Sequence, residues 1–229
     1  GHLVETLVAR GDTVLALARR PDAHAALSAL GATPVPGSLE DEHSLAEALD
    51  GIEVVYHLAG LTSARDEAEF FAVNEGGTKR LMSAIREAAP GLQRLVYLSS
   101  QAALGPSPRG TPLGEDADCR PITSYGRSKL AGELAVRRSD LPWTVVRAPA
   151  VYGPGDREFL RLFQIVRRGI APVFGTGRQE LSLVFVGDLA EAIALAGPSP
   201  ALAGQILHLA HREVVLSRLS DKQGMSSNP

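Results

Sequence analysis

The feature that most constrains this chain is a regular alternation between short apolar runs and stretches with helical spacing. Leu3, Val4, Leu7 and Val8 recur on one helical face, and Gly11 sits where a helix C-terminus favours glycine. An apolar run over 13–18 follows, bounded by Arg19 and Arg20, and then a helical stretch over 24–30 closed by Gly31. Thr33, Pro34, Val35 and Pro36 read as a short strand near a sheet edge, where the missing N–H of proline is tolerated. The pattern then repeats as a helix at 45–49, a strand at 53–59, a long helix at 70–89 with Leu81 and Ile85 on one face, and a strand at 95–99. A loop rich in Pro and Gly over 105–121 leads to a helix at 124–138 and a strand at 143–147. Strands apolar on both faces must be covered on both, so their alternation with helices specifies an α/β fold: a doubly wound parallel sheet between helical layers. In such sheets ligands bind beyond the carboxyl ends of the strands, which here are Arg19, Ala59 and Gly60, Ser99 and Ser100, and Ala148 and Pro149.

Beyond Gly153 the alternation loosens. Phe159, Leu162, Phe163 and Val166 form one amphipathic helix, 172–177 is a turn-rich link, 183–186 is strand-like, and Asp188 is placed to cap a helix over 189–196. The residues from Glu213 onward look frayed and carry no assigned role. The expected division is a main domain over 1–152 and a small lobe over 153–229, with some segments of the lobe returning to the main sheet.

With 229 residues and 45% apolar content, the chain can bury a sizeable core. A net charge of −3, with arginines scattered among acids, gives no electrostatic reason to expect nucleic acid as a partner. Cys119 is the only cysteine, which excludes an internal disulfide and a Cys-based metal cluster, and no metal site is expected. Between Asp118 and Arg120 in a polar loop, it reads as a bystander thiol. The apolar runs fall far short of the ~20 residues of a membrane-spanning helix, and no signal peptide is visible. No membrane partner is expected, and the cytoplasm is the default location.

Tyr125 and Lys129 put a phenol and an ammonium four residues apart at the start of a helix, on one face and within a turn of each other. With four Tyr and three Lys in 229 residues, chance supplies about 0.05 such pairs, so the spacing is moderately specific. A positive charge beside the phenol favours the phenolate, so Lys129 is expected to lower the Tyr125 pKa and suit it to acid/base work on a carbonyl or hydroxyl. Ser99 and Ser100 end the strand before this helix, and a hydroxyl there can hold a substrate oxygen beside the phenol. An isolated Ser pair at a strand end more often satisfies backbone groups. Here the Tyr–Lys pair accompanies it.

At these residues the chain resembles the extended short-chain dehydrogenase/reductase family, the NAD-dependent epimerase/dehydratase group, over about residues 1–210. Val55, Tyr56, His57, Leu58, Ala59 and Gly60 resemble its fourth-strand block, and 73–78 (Val-Asn-Glu-Gly-Gly-Thr) its following helix signature. The strand ending in Tyr97, Leu98, Ser99 and Ser100 resembles the one bearing the active-site hydroxyl, and spacing back from Gly105 selects Ser100. Tyr125 and Lys129 match Tyr-x-x-x-Lys, and 147–156 resembles the block near the nicotinamide. The resemblance implies a Rossmann-type domain over 1–152 with a substrate lobe after it. It further implies that Tyr125 exchanges a proton while hydride passes to or from the nicotinamide, that Ser100 fixes the substrate oxygen, and that Lys129 binds the nicotinamide ribose. The implied cofactor contacts are Arg19, Ser38, Leu39, Leu58, Ala59, Gly60, Ser99, Tyr125, Lys129, Ala148, Pro149 and Val151. For Asn74, helix packing and a relay role stand equal. Relatives pair through the helix bearing Tyr and Lys, so a homodimer is an assembly open by analogy.

Three departures from the family pattern matter. The opening strand and its Gly-x-x-Gly-x-x-Gly loop are absent, and His2, Leu3 and Val4 resemble residues just past the third glycine. The expectation is that residues precede Gly1 in the native protein, since that strand normally lies in the middle of the sheet. The acid that would take the adenosine ribose is replaced by Arg19 and Arg20, which suits a 2′-phosphate and favours NADP(H) over NAD(H), while Ser38 stands where the adenine side usually has Asp. Leu181 replaces an Arg that grips the diphosphate of nucleotide sugars, with Arg178 nearby. The expected function is NAD(P)-dependent oxidoreduction of a small-molecule carbonyl/alcohol pair, tilted towards a smaller or more lipophilic compound. The alternatives are a nucleotide-sugar epimerase or dehydratase, and a non-catalytic NAD(P) sensor or scaffold of the same fold.

Overall fold

The computed structural model of the chain describes residues 1–169, 180–211 and 215–216. Helix α1 (His2–Ala9) leads to β1 (Leu15–Ala18), α2 (Pro21–Ala29), β2 (Thr33–Pro36), α3 (Glu42–Leu49) and β3 (Val54–His57). Helix α4 (Glu67–Phe71) passes through a π-helical turn (Ala72–Gly77) into α5 (Thr78–Ala88), followed by β4 (Arg94–Ser100), α6 (Ser124–Arg137), β5 (Trp143–Ala148) and β6 (Ala150–Tyr152). Next come α7 (Arg157–Arg167), β7 (Glu180–Leu181), β8 (Leu183–Phe185), α8 (Val186–Ala196), β9 (Ile206–His208) and β10 (Val215–Leu216).

Strands β3, β4, β5 and β9 form a parallel four-stranded sheet in the order β3-β4-β5-β9. The alternating apolar runs thus become a doubly wound sheet, as their pattern requires. Leu95, Tyr97 and Val145 point to the face covered by α3, α5 and α6, where they meet Leu45, Leu81, Ile85 and Val136. Val96 and Val146 point to the other face and meet Leu189 and Ile193 of α8, with Leu3 of α1 packed alongside. The ladder is not continuous across the fold: β1 and β2 pair in parallel as a separate two-stranded sheet, and β2, an edge strand, carries two prolines. Smaller pairs join β6 to β8 in parallel and β7 to β10 antiparallel.

Local signals explain most element boundaries. Asp41 caps α3 by accepting from the backbone N–H groups of His43 and Ser44, and Asp66 caps α4 by accepting from Glu69. Gly11 and Gly31 end their helices with φ of +87°. Other elements depart from the sequence reading. The helix expected over 70–89 is broken by the π turn, which side-chain periodicity does not register. Asp188 does not cap α8: the helix begins at Val186 with Phe185 as its N-cap, so Asp188 lies within the first turn, where its charge favours the helix dipole. Within the segment expected to be frayed, Val215 and Leu216 pair with β7. The remainder of that segment, the link at 172–177 and Arg178 lie outside the described residues. No helix among the described residues is long and apolar enough to cross a membrane.

Candidate active site

The N-terminus of α6 is docked directly on the end of β4. Thr123 caps the helix, its hydroxyl accepting from the Gly126 N–H at 3.0 Å. At Gly126 a β-carbon would collide with the Ala102 carbonyl, so glycine permits this approach. Ser100 closes the other side by accepting from the Ala102 N–H at 3.1 Å, which shapes the 3-10 turn after β4. The Ser100 hydroxyl and the Tyr125 phenol are thereby brought together. The Tyr125 ring also packs at 5.9 Å from that of Phe70.

Lys129 follows one turn along α6 and is 5% exposed. Its ammonium donates to the Leu98 carbonyl at 2.7 Å and stands 4.6 Å above the Tyr97 ring. Burial pulls its pKa down to about 8, with Glu133 opposing that shift. The expectation that Lys129 lowers the Tyr125 pKa is not met. Burial raises the phenol above its ordinary value, and the opposing influence is the hydrogen bond with Ser100. Desolvation of the phenolate outweighs an ammonium already committed to a carbonyl.

Asn74 sits in the π turn, 1% exposed, with both ends of its amide engaged. Its carbonyl oxygen accepts from the Leu61 N–H at 2.7 Å, and its amide donates to the Leu61 carbonyl at 3.0 Å and to the Ser128 hydroxyl at 2.9 Å. Ser128 donates in turn to the Tyr125 carbonyl at 2.8 Å. Asn74 therefore braces the segment after β3 against the first turn of α6, which supports the packing alternative. The π turn adds the residue that turns Asn74 inward, a usual place for such a bulge.

The loop after β3 runs beside Lys129 as one side of an open cradle. Leu58, Ala59 and Gly60 form an exposed rim after β3. A β-carbon on Gly60 would stand 2.8 Å from the Asn74 carbonyl oxygen and 3.7 Å from the Lys129 ammonium, so the missing side chain leaves the lysine reachable. Ala148 and Pro149 end β5 beside Ser100, the register partner of Ala148, while Val151 packs into the core behind them. Arg19 is exposed at the end of β1. Ser38 and Leu39 follow β2, where the Ser38 N–H donates to Ser44 at 3.3 Å and the Leu39 carbonyl accepts from Arg80 at 2.8 Å.

Ser99 stands apart from the other expected contacts. Alternation along β4 turns its side chain to the face opposite that of Ser100, where it is 3% exposed and donates to Glu133 at 2.9 Å. Its hydroxyl is committed there and does not line the cradle. The sequence reading also missed Glu133 and Arg147, a buried ion pair at 0% and 1% exposure. The signal available was spacing: Tyr125, Lys129 and Glu133 recur every four residues, on one stripe of α6. Cys119, half-buried, accepts from Arg147 at 3.3 Å, and burial pushes its thiol up, consistent with an inert side chain.

A hydroxyl pair with a lysine one turn along, at the carboxyl ends of a doubly wound parallel sheet, defines a Rossmann-type protein with a short-chain dehydrogenase arrangement of side chains. The family model described as NAD dependent epimerase/dehydratase matches residues 1–209, and the chain belongs to that family. Among curated relatives, the chain is 35% identical over 205 residues to a 4-hydroxy-2-methyl-3-oxo-4-farnesyl-3,4-dihydroquinoline-1-oxide ketoreductase of Stigmatella aurantiaca, covering 85% of this chain and 60% of that protein. It is 34% identical over 202 residues to a ceramide reductase of Caulobacter vibrioides, covering 88% of this chain and 58% of that protein. The chain thus spans less than two thirds of the length of these relatives. Its backbone also matches a UDP-glucose 4-epimerase of Thermus thermophilus in complex with NAD, with TM-score 0.81 and 28% identity, covering 95% of this chain and 76% of that one.

Proposed function

We propose that this protein is an NAD(P)-dependent oxidoreductase that interconverts a carbonyl and an alcohol on a lipophilic small molecule. The observation that carries the reading is the Ser100–Tyr125 hydroxyl pair with Lys129 one turn along. A bound nicotinamide cofactor supplies or accepts the hydride. Tyr125 holds the proton exchanged with the substrate oxygen, and burial keeps that phenol protonated at neutral pH, ready to donate to a carbonyl. Ser100 gives the same oxygen a second hydrogen bond and fixes it against the phenol. Lys129, beside Gly60, holds the nicotinamide ribose hydroxyls, with Leu58, Ala59, Ala148, Pro149 and Val151 around that end. Arg19, Ser38 and Leu39 serve the adenosine end, where Arg19 favours the 2′-phosphate of NADP(H) over NAD(H).

A lipophilic substrate is supported by exposed apolar residues: Ile122 at 72%, three positions before Tyr125, and Leu160 and Phe163 of α7 at 53% and 57%. The farnesylated and ceramide substrates in the names of two relatives point the same way. A second reading, a nucleotide-sugar epimerase, is favoured by the likeness to the Thermus enzyme. Against it, Leu181 cannot grip a diphosphate as an arginine does. Incubation with UDP-glucose and NAD, followed by analysis of the sugar, separates the two, since only the epimerase yields an epimerised hexose.

The direct test follows NADPH oxidation with a panel of long-chain and polycyclic ketones. Tyr125→Phe is expected to lower turnover by about 10²–10⁴-fold, because it removes the acid hydroxyl, while cofactor affinity stays within a few-fold. Turnover equal to that of the unmodified protein rejects the mechanism.

A further inference from the structure

Behind the cradle, on the α6 face of the sheet, a row of polar side chains crosses three strands. Ser99 of β4 is in register with Arg147 of β5, and Arg147 with His208 of β9. Glu133 descends onto this row from α6. Each of its oxygens accepts twice: Oε2 from Ser99 at 2.9 Å and Arg147 Nε at 3.0 Å, Oε1 from Arg147 Nη2 at 2.7 Å and Arg137 at 3.3 Å. The carboxylate is therefore saturated. Arg147 is equally engaged. Beyond its bidentate pair with Glu133, Nη1 donates to the Glu115 carbonyl at 3.2 Å and meets His208 Nε2 at 3.3 Å, and Nη2 meets the Cys119 sulfur at 3.3 Å. The loop is further held by the His208 N–H, which donates to the Glu115 carboxylate at 3.1 Å.

A buried ion pair contributes little net stability compared with apolar residues of the same volume, so its presence here invites a positional explanation. The location supplies one. Glu133 stands one helical turn beyond Lys129, which stands one turn beyond Tyr125. A carboxylate fixed at that point sets how α6 sits on β4 and lays a negative charge along the stripe that carries the ammonium. We propose that Glu133, locked by Arg147, is the positioning residue for Lys129, and that the same guanidinium ties the 105–121 loop to the catalytic helix. The proposal rests on the catalytic reading of Lys129 above, and its test needs neither substrate nor cofactor.

Several groups face the Lys129 ammonium. Glu133 lies on its own helix, Tyr97 and the Leu98 carbonyl on β4, His57 on β3, and Asn74 near Gly60. His57 is buried and neutral, which leaves Glu133 as the anion that sustains the charged amine. The titration of Lys129 therefore reports whether the carboxylate does what its position implies.

The experiment is competitive acetylation with trace acetic anhydride across pH, read by mass spectrometry of the arginine-cleavage peptide 128–137. Its only lysine is Lys129, and exposed Lys79 serves as internal reference. The unmodified protein is expected to show a Lys129 midpoint of about 8. Glu133→Gln is expected to lower that midpoint by roughly half a unit or more, because an opposite charge favours the protonated amine. The double variant Glu133→Leu/Arg147→Met removes the ion pair without leaving a buried charge unpaired. It is expected to stay folded and to show a smaller lowering of the midpoint, because the Arg147 cation leaves together with the Glu133 anion. A purely structural pair predicts an unchanged midpoint in that folded double variant, and this result overturns the proposal even if Glu133→Gln alone fails to fold. Failure of the oxidoreductase reading would appear separately, as unchanged turnover in Tyr125→Phe.

Discussion

Strands β1 and β4 are both short, parallel and apolar, yet they occupy different environments. Leu95, Val96 and Tyr97 of β4 have 0% exposure, whereas Leu15 of β1 is 37% exposed and the rest of that strand is only half-buried. Among the described residues β4 has β3 and β5 on its two edges and helices on both faces, while β1 has one strand partner, β2. The difference coincides with a division of labour. Ser100, Tyr125, Lys129 and Asn74 belong to the thick half, where packing fixes each side chain before any ligand arrives. Arg19, Ser38 and Leu39 follow β1 and β2, whose strands have fewer partners among the described residues.

Truncations on the two halves should therefore differ sharply. Leu95→Ala, at a fully buried position between α5 and α6, is expected to cost about 2–5 kcal/mol through lost burial and an unfilled cavity. Urea denaturation gives the value directly. A loss below about 1 kcal/mol would mean that the thick half repacks freely, and the contrast with β1 would collapse.

How much of this was legible in the sequence follows the same line. The strands of the thick half read clearly because two-sided burial forces apolar runs, as in 95–98 and, with Thr144 as the polar member, 143–146. Tyr125 and Lys129 read clearly because helical spacing alone puts them together. Ser99 and Ser100 could not be separated by composition, since only the alternation of β4 against α6 decides which hydroxyl reaches the site. Nothing in the sequence marked Glu133 and Arg147 as a pair. They are fourteen positions apart, and their burial depends on a helix–strand contact that local pattern does not encode. The π turn at Asn74 left no trace because one inserted residue barely alters side-chain periodicity. The sign of the Tyr125 shift was misread for a related reason: spacing reports a nearby charge, and only the fold reports desolvation.

The boundary strand between the halves offers a pH-dependent test. His57 of β3 is 3% exposed and bonded to Thr78 at 2.9 Å, and Thr78 donates to the Asn74 carbonyl at 2.7 Å. With its one hydrogen spent, Thr78 accepts from the imidazole, which therefore carries its proton on Nε2. Burial, aided by Lys129, lowers the His57 pKa to about 3. Below its ordinary value of 6.5 the unfolded chain takes up a proton that the folded one refuses. Stability therefore falls as pH drops from about 6.5 towards 3, by at most ~1.4 kcal/mol per unit from this group. Urea melts at pH 4.5 and 7 should show a flatter pH dependence in His57→Asn than in the unmodified protein. Identical slopes would show that the wall beneath Lys129 is open to water, and the thick half would begin only at β4.

The smallest effect is expected at the other extreme. Leu15 opens β1 with more than a third of its surface exposed, and its register partner is Thr33 of β2. Truncating such a side chain removes few contacts and leaves no enclosed cavity, so Leu15→Ala should change stability by about 0.5 kcal/mol or less. The measurement matters because Leu15 and Leu95 are the same residue type in parallel strands of one fold, so their ratio isolates the surroundings from the chemistry. A Leu15→Ala loss approaching that of Leu95→Ala would mean that β1 is covered in solution by something beyond β2 and its helices.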